Sequence, residues 1–395
     1  MLACAALLGA AGCGSLPTVS GLKVLARKGR PFVIVQTDKA LGWGVANHPI
    51  LCRVSDRRIA VSYWVAGDGA YSGTAPVPWP AYSDDDGKTW QFGDPYTWRG
   101  EKPPPELSAL AKGEQFNNYN FGYFMGAARW ASGERIAHAR YAEKTIPRTI
   151  EVVRSPDGVQ WEGPVKAPFN FPELFQYEPQ YLVLEQKAVT MPDGRVLVVL
   201  CGGLDDPKGD ATFLFESRDR GSSYNLLSVV ATAADAPWGL EGVNEPVLAL
   251  MPNGDLLVVT RTGAQWTGSG TAVAEPMLSA RSTDGGLTWE HRKMSIRGVM
   301  PKLEVMSDGT VVLATGRPGN RLYFSTDNGR TWGAPVVLTP DSMRTSGYCD
   351  VMEVSPGRLL AIYDSMDTDL SGIWLWEPQE VNGILGVFVD VKKLF

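Results

Sequence analysis

Ser325-Thr326-Asp327-Asn328-Gly329-Arg330-Thr331-Trp332 follows a pattern, Ser-x-Asp-x-Gly-x-Thr/Ser-aromatic, that the chain repeats at Ser83–Trp90, Ser217–Tyr224 and Ser282–Trp289. A copy one residue shorter runs Ser155-Pro156-Asp157-Gly158-Val159-Gln160-Trp161. The spacing is that of a hairpin. Asp caps the turn through its side chain, Gly accepts a positive φ, and the aromatic ring packs back beneath the strands. These boxes are structural and carry no catalytic assignment.

Upstream of each box lies an apolar strand, a turn and a second apolar strand. Clear copies start at Glu185 (EQKAVTMPDGRVLVVLC), Glu245 (EPVLALMPNGDLLVVTR), Met300 (MPKLEVMSDGTVVLATGR) and Tyr348 (YCDVMEVSPGRLLAIYD). Degenerate ones start at His48 and Phe124. Six units follow, five ending in a box, the last running to about Pro378 and closing on Trp374-Leu375-Trp376. Strand-rich repeats of this length predict an all-β, six-bladed β-propeller with Asp-box hairpins over residues 21–395. The boxes resemble the Asp boxes of the sialidase superfamily, whose propeller hosts hydrolases, lyases and non-catalytic binders.

Composition agrees with that class. The 395 residues are 44% hydrophobic and 20% charged, with 43 Gly, 28 Pro and 13 Trp. Such a density of breakers favours short strands over long helices. A net charge of -6 gives nucleic acid no basic surface to bind. Residues 1–20 read as leader and linker: MLACAALLGAAGC, ending at Cys13, resembles a bacterial lipoprotein signal. That resemblance implies export and lipid anchoring at the cell envelope, with the membrane touched only through Cys13. Cys52, Cys201 and Cys349 fall in strand-like stretches and read as buried thiols. No cofactor or metal is expected.

If the units are equivalent, residues at one offset from the turn form a ring around the channel. Nine positions before the turn residue, the ring holds His48, Phe124, Glu185, Glu245, Met300 and Tyr348; seven positions after it, Trp64, Arg140, Cys201, Arg261, Gly316 and Asp364. Polar groups on innermost strands are costly unless they serve something. Asn244-Glu245 followed by Arg261 resembles the Glu and second Arg of the sialidase pattern, and Ser346-Gly347-Tyr348-Cys349-Asp350 resembles the segment holding its nucleophilic Tyr. The resemblance implies that Tyr348 attacks an anomeric carbon, Glu245 takes its proton, and Arg261 with Arg317 or Arg321 holds a carboxylate. Asp68, in WVAGDGAYSG, would be the acid. The chain has Asn47-His48-Pro49 where the family has Arg-x-Pro, so the first Arg of the clamp is missing.

The expected function is therefore a retaining, exo-acting glycoside hydrolase whose partner is an acidic glycan or oligosaccharide. Two alternatives stand beside it. One is a propeller lyase acting on a uronate-containing glycan, using His48 with Tyr123 and Arg140. The other is a glycan-binding propeller without turnover. Each residue also has a plain structural explanation: Tyr348 as a buried aromatic, Glu245 and Arg261 as an ion pair, His48 as a core histidine, Asp68 as a turn former.

Overall fold

The computed structural model describes residues 18–19, 22–36, 45–66, 81–92, 119–121, 124–139, 141–143, 148–173, 175, 179–184, 186–266, 272–343, 345–365 and 383–394. Among these, the regular structure is β-strand apart from one 3-10 turn, Ala233–Asp235. The all-β propeller expected from the boxes is the fold observed. Its strands group into antiparallel four-stranded blades, each counted from the channel outward.

Blade 1 contains Val45–Arg53, Ile59–Ala66, Ala81–Ser83 and Gln91–Phe92. Blade 2 contains Phe124–Arg129, Arg135–Ala139, Thr149–Ser155 and Glu162–Asn170. Leu182–Leu184, Val196–Asp205, Lys208–Ser217 and Tyr224–Ala231 make blade 3. Blade 4 is Asn244–Leu250, Leu256–Arg261, Pro276–Ser282 and Glu290–Arg297. Val299–Val305, Val311–Gly316, Asn320–Ser325 and Val336–Thr339 form blade 5.

Blade 6 differs from the expected unit. Cys349–Ser355 and Arg358–Ser365 are followed by Gly383–Leu394, beyond Pro378, and the outermost strand is Leu22–Lys28 from the other end of the chain. Register runs from Lys23↔Leu394 to Lys28↔Val389. A last blade closed by the N-terminal strand needs no box hairpin, because no chain turns back between its third and fourth strands. Trp374-Leu375-Trp376, assigned that closing role from sequence, lies outside the described residues. Thr18–Val19, within the segment read as linker, pairs with Leu22 and Lys23.

The apolar cores sit between neighbouring blades rather than within them. Ile136, Val152, Val198 and Phe213 join blades 2 and 3; Val247, Leu257, Leu303 and Leu313 join blades 4 and 5. Leu51, Val61, Leu360 and Ile362 join blade 6 back to blade 1, which completes the ring. The box glycines fix this contact. A Cβ at Gly329 of blade 5 would lie 2.5 Å from Leu257 of blade 4, and one at Gly87 of blade 1 would lie 2.9 Å from Leu360 of blade 6. Each box is thus a wedge against the previous blade as well as a turn, which only Gly can fill at φ values of 76° and 83°.

Within the box of blade 5, Asp327 Oδ1 accepts the backbone N–H groups of Arg330 and Thr331, at 3.1 and 2.9 Å, and the Ser325 hydroxyl at 2.7 Å. Its Oδ2 accepts the Thr331 hydroxyl at 2.6 Å. Burial raises the Asp327 pKa, but the bonds from Thr331, Ser325 and Arg330 outweigh it and hold the carboxyl below its ordinary 3.8. The contribution of a depressed carboxyl is complete above its unfolded value and fades as pH falls through the folded one. Asp327→Ala is expected to cost about 1–2 kcal/mol at neutral pH, the range for losing a cap that serves several donors. Urea denaturation of both proteins should show that gap narrowing as the pH is lowered from about 7 to about 3. A gap constant over that range would contradict the assignment.

Candidate active site

The polar ring legible in the sequence has a shared backbone geometry at three of its positions. His48, Glu245 and Met300 have φ values of 53°, 47° and 43°, the left-handed region that non-glycine residues seldom enter. Each lies in a bulge, because the innermost strands lose register between Asn47 and Ile50, Asn244 and Val247, and Val299 and Lys302. Each is followed by proline, Pro49, Pro246 or Pro301, which leaves no ladder N–H to be paired. A bulge re-aims the side chain that strict alternation would have turned away.

Glu245 is buried at 8% exposure, and its carboxylate collects three donors. Tyr348 donates its phenol proton to Oε1. Arg261 donates to the same oxygen at 2.8 Å. The backbone N–H of Met300 reaches Oε2 at 2.7 Å. Arg261 also donates to Glu241 Oε1 at 2.9 Å. Burial disfavours its charge, but Glu245, Tyr348 and Glu241 outweigh that penalty and hold the guanidinium above its ordinary pKa. The acid, the phenol and the guanidinium expected from sequence therefore meet.

Around Tyr348 the pocket is built from blades 1, 5 and 6. The His48 ring meets the Tyr348 ring edge-on, with centroids 4.1 Å apart, and Arg317 places its guanidinium carbon 5.3 Å from that ring's centroid. Arg317 Nε donates to the Ser346 carbonyl at 2.8 Å. Beneath them, buried Asp364 accepts the Ser346 N–H at 2.7 Å, the Thr345 hydroxyl at 2.6 Å and the His48 N–H at 3.2 Å. Burial pushes the Asp364 carboxyl up against those bonds. Asp364 thus fastens the Tyr348 segment to the His48 bulge.

Of the two arginines considered for the third clamp position, the structure separates one from the site. Arg321 donates to Asp341 and the Pro318 carbonyl, whereas Arg317 lies against the Tyr348 ring. Asp68, Tyr123 and Arg140 lie outside the described residues, as do Glu185 and the leader with Cys13.

Several residues of the site had no sequence signal. Glu241 lies in the segment before blade 4, and Asn244 Nδ2 donates to Glu241 at 3.2 Å and to Asp210 at 2.8 Å. Tyr181 donates to Asp210. The result is a continuous polar chain from Tyr181 of blade 3 to Tyr348. Burial, then Asp210, pushes the Tyr181 phenol well above its ordinary value. One clue was present: Gly202-Gly203 lie inside the strand Val196–Asp205, and a Cβ at Gly203 would lie 2.7 Å from the Tyr181 ring.

A family model described as the BNR repeat-like domain matches residues 126–361, and the BNR/Asp-box repeat matches 81–92. The chain belongs to the BNR repeat-like family. It is a sialidase-superfamily propeller, similar to the sialidase of Micromonospora viridifaciens at 27% identity over 46% of this chain and 32% of that one. The chain thus spans about a third of that relative's length. Among solved structures, the Trypanosoma rangeli sialidase bound to the inhibitor DANA superposes with a TM-score of 0.56 at 12% identity, covering 92% of this chain and 59% of that one. An α-L-arabinofuranosidase of Fusarium graminearum bound to an iminosugar inhibitor superposes with a TM-score of 0.54 at 13% identity, covering 93% of this chain and 99% of that one. At these identities the structural likeness establishes the BNR propeller fold.

Arg261 is ion-paired with two carboxylates in this BNR protein, so its removal should be felt in stability. Arg261→Met is expected to destabilise the protein by about 3 kcal/mol, the cost of leaving a buried charge without its partner. Chemical denaturation measures it. A loss as small as that of an exposed surface pair would show that Glu241 and Glu245 do not depend on Arg261.

Proposed function

We propose that the protein is a retaining glycoside hydrolase that removes a terminal carboxylate-bearing sugar, with Tyr348 as nucleophile. The observation that carries this is the phenol of Tyr348 bonded to Glu245 while Arg261 holds the same carboxylate. A phenol with an ordinary pKa near 10 is a weak nucleophile at neutral pH unless a base takes its proton.

In the first step, Tyr348 Oη forms a bond to the anomeric carbon as the bond to the leaving oxygen breaks. The phenol proton passes to Glu245, and the leaving oxygen takes a proton from the acid, a role proposed for Asp68. In the second step, water attacks the anomeric carbon as its bond to Tyr348 Oη breaks, giving its proton to that acid, and Tyr348 recovers its own from Glu245. A neutral nucleophile suits an anionic sugar because it adds no charge repulsion during approach. Arg317 and Arg261 supply the donors that recognise the carboxylate. Support for a glycan partner comes from the kind of protein the fold neighbours are: two of them are named as a sialidase and an arabinofuranosidase. The leader is read as exporting the protein and, through Cys13, anchoring it to the cell envelope.

A panel of glycans assayed for products tests this. Release of a reducing acidic sugar without ultraviolet absorbance is expected. Tyr348→Phe should lower kcat by about a thousandfold or more, and Glu245→Gln by about a hundredfold or more. An unsaturated uronate among the products, with activity surviving Tyr348→Phe but not His48→Ala, would identify a lyase instead. Binding without any product would leave a glycan-recognition propeller.

A further inference from the structure

At the opposite end of the blades from Tyr348 lies a cleft of about 460 Å³ between blades 4 and 5. Its walls are the outer strand of blade 4, Glu290–Arg297, and the box of blade 5 from Gly329 to Trp332. The innermost strands carry the chain from the site end to the Met251–Asp255 turn, whose Asp255 lies 3.3 Å from Arg330. One seven-residue strand therefore separates cleft from site, a distance of about 20 Å.

Two features set this cleft apart from an ordinary seam between blades. The first is charge. Arg281, Arg292, Lys293 and Arg330 line it against the single acid Glu290. Arg281 is buried and occupied, donating to Asp255 at 2.8 Å and to the Asn328 carbonyl. Lys293 leans over the Trp238 ring at 4.8 Å. Arg292 and Arg330 are exposed; Arg330 shares Asp255 with Arg281 through a 3.3 Å ion pair, and Arg292 is braced by one bond to the Arg330 carbonyl at 3.1 Å. They leave an excess of positive charge at the mouth of a protein whose net charge is -6.

The second feature is the box tryptophan. The indole N–H groups of Trp90, Trp161 and Trp289 donate to Gly87, Gly158 and Ser228, at 3.1, 3.3 and 3.0 Å. Among the described residues, the indole of Trp332 donates to none, although it stands in the same place in its box. Trp332 is half-buried, packs on the core between blades 4 and 5, and lines the cleft.

We propose that this cleft is a second carbohydrate site, taking a carboxylate-bearing unit of a glycan chain while Tyr348 faces another part of it or a different chain. The volume suits one or two sugar rings. Arg292 and Arg330 offer guanidinium forks to a carboxylate, and Trp332 offers a flat apolar wall with a donor at its edge. The choice of an acidic sugar rests on the function proposed above; the cleft's charge and shape do not.

The test is calorimetric titration of the full chain with an acidic oligogalacturonate and with a neutral arabinan oligosaccharide, in the Tyr348→Phe background so that nothing is turned over. Arg292→Gln with Arg330→Gln alters two exposed side chains. The double variant is expected to bind the acidic oligosaccharide about tenfold more weakly or worse, for loss of two charged contacts. Its turnover of a small acidic glycoside, with Tyr348 restored, should be unchanged. Unaltered affinity for oligogalacturonate, or equal binding of the neutral oligosaccharide, would overturn the proposal. So would displacement by a short oligonucleotide at equal concentration, which would mark a general anion trap. Absent turnover with a preserved effect of the double variant would fault the proposed reaction and leave the cleft standing.

Discussion

The carboxylate of Glu245 is the constraint on which the channel end depends, because three neighbouring blades converge on it. Arg261 belongs to its own blade, Met300 to the next, and Tyr348 leads into the one after. A buried carboxylate without donors would be intolerable, and with these three it becomes the fastening between blades. The left-handed backbone at Glu245 costs on the order of 1–2 kcal/mol, and it persists because those donors over-determine it. The same device closes the ring on the other side, where Asp364 of blade 6 accepts the N–H of His48 in blade 1. Asp350 does likewise for the Leu51 N–H at 2.8 Å. Carboxylates of one blade thus satisfy the inner-strand N–H groups that bulges or channel-facing turns release in the next.

The sequence carried much of this because the propeller repeats its physics. The Asp boxes are written in full, since each turn needs its own acceptor, glycine and aromatic. The offset from turn to channel also transferred: His48, Glu245 and Met300, aligned by counting alone, share one backbone conformation and one bulge. Tyr348 marks where counting stops. It holds the ring position without a following proline, and the positive φ of its segment falls one residue earlier, at Gly347 with 80°. Offset therefore identified the residue and missed its geometry.

What was illegible lay in segments that do not repeat. Nothing in Leu22–Lys28 announces that it completes a blade whose three inner strands lie more than three hundred residues away. Glu241, Asp210 and Tyr181 sit outside the counted rings, so neither spacing nor alternation marks them. Between Arg317 and Arg321 the decision came from an acid the sequence treats as unrelated, Asp341, which draws Arg321 outward.

The charge balance of the site bears on its chemistry. Arg261 lies between Glu241 and Glu245 and Arg317 against the Tyr348 ring, with Asp210 and Asp364 in the same polar network, so the described part of the site carries no excess of positive charge before any sugar enters. With Asn47-His48-Pro49 standing where the resemblance expects Arg-x-Pro, the acidic sugar proposed as substrate would gain little from net charge and must be held by directed bonds. The same balance affects the proton between Tyr348 and Glu245. Arg261 touches the carboxylate and is coupled electrostatically to the phenol, so it stabilises the negative charge on whichever of them carries it. In the reaction proposed, Tyr348 attacks as the anomeric carbon develops positive charge and Glu245 takes its proton, with Arg261 bonded to that carboxylate throughout.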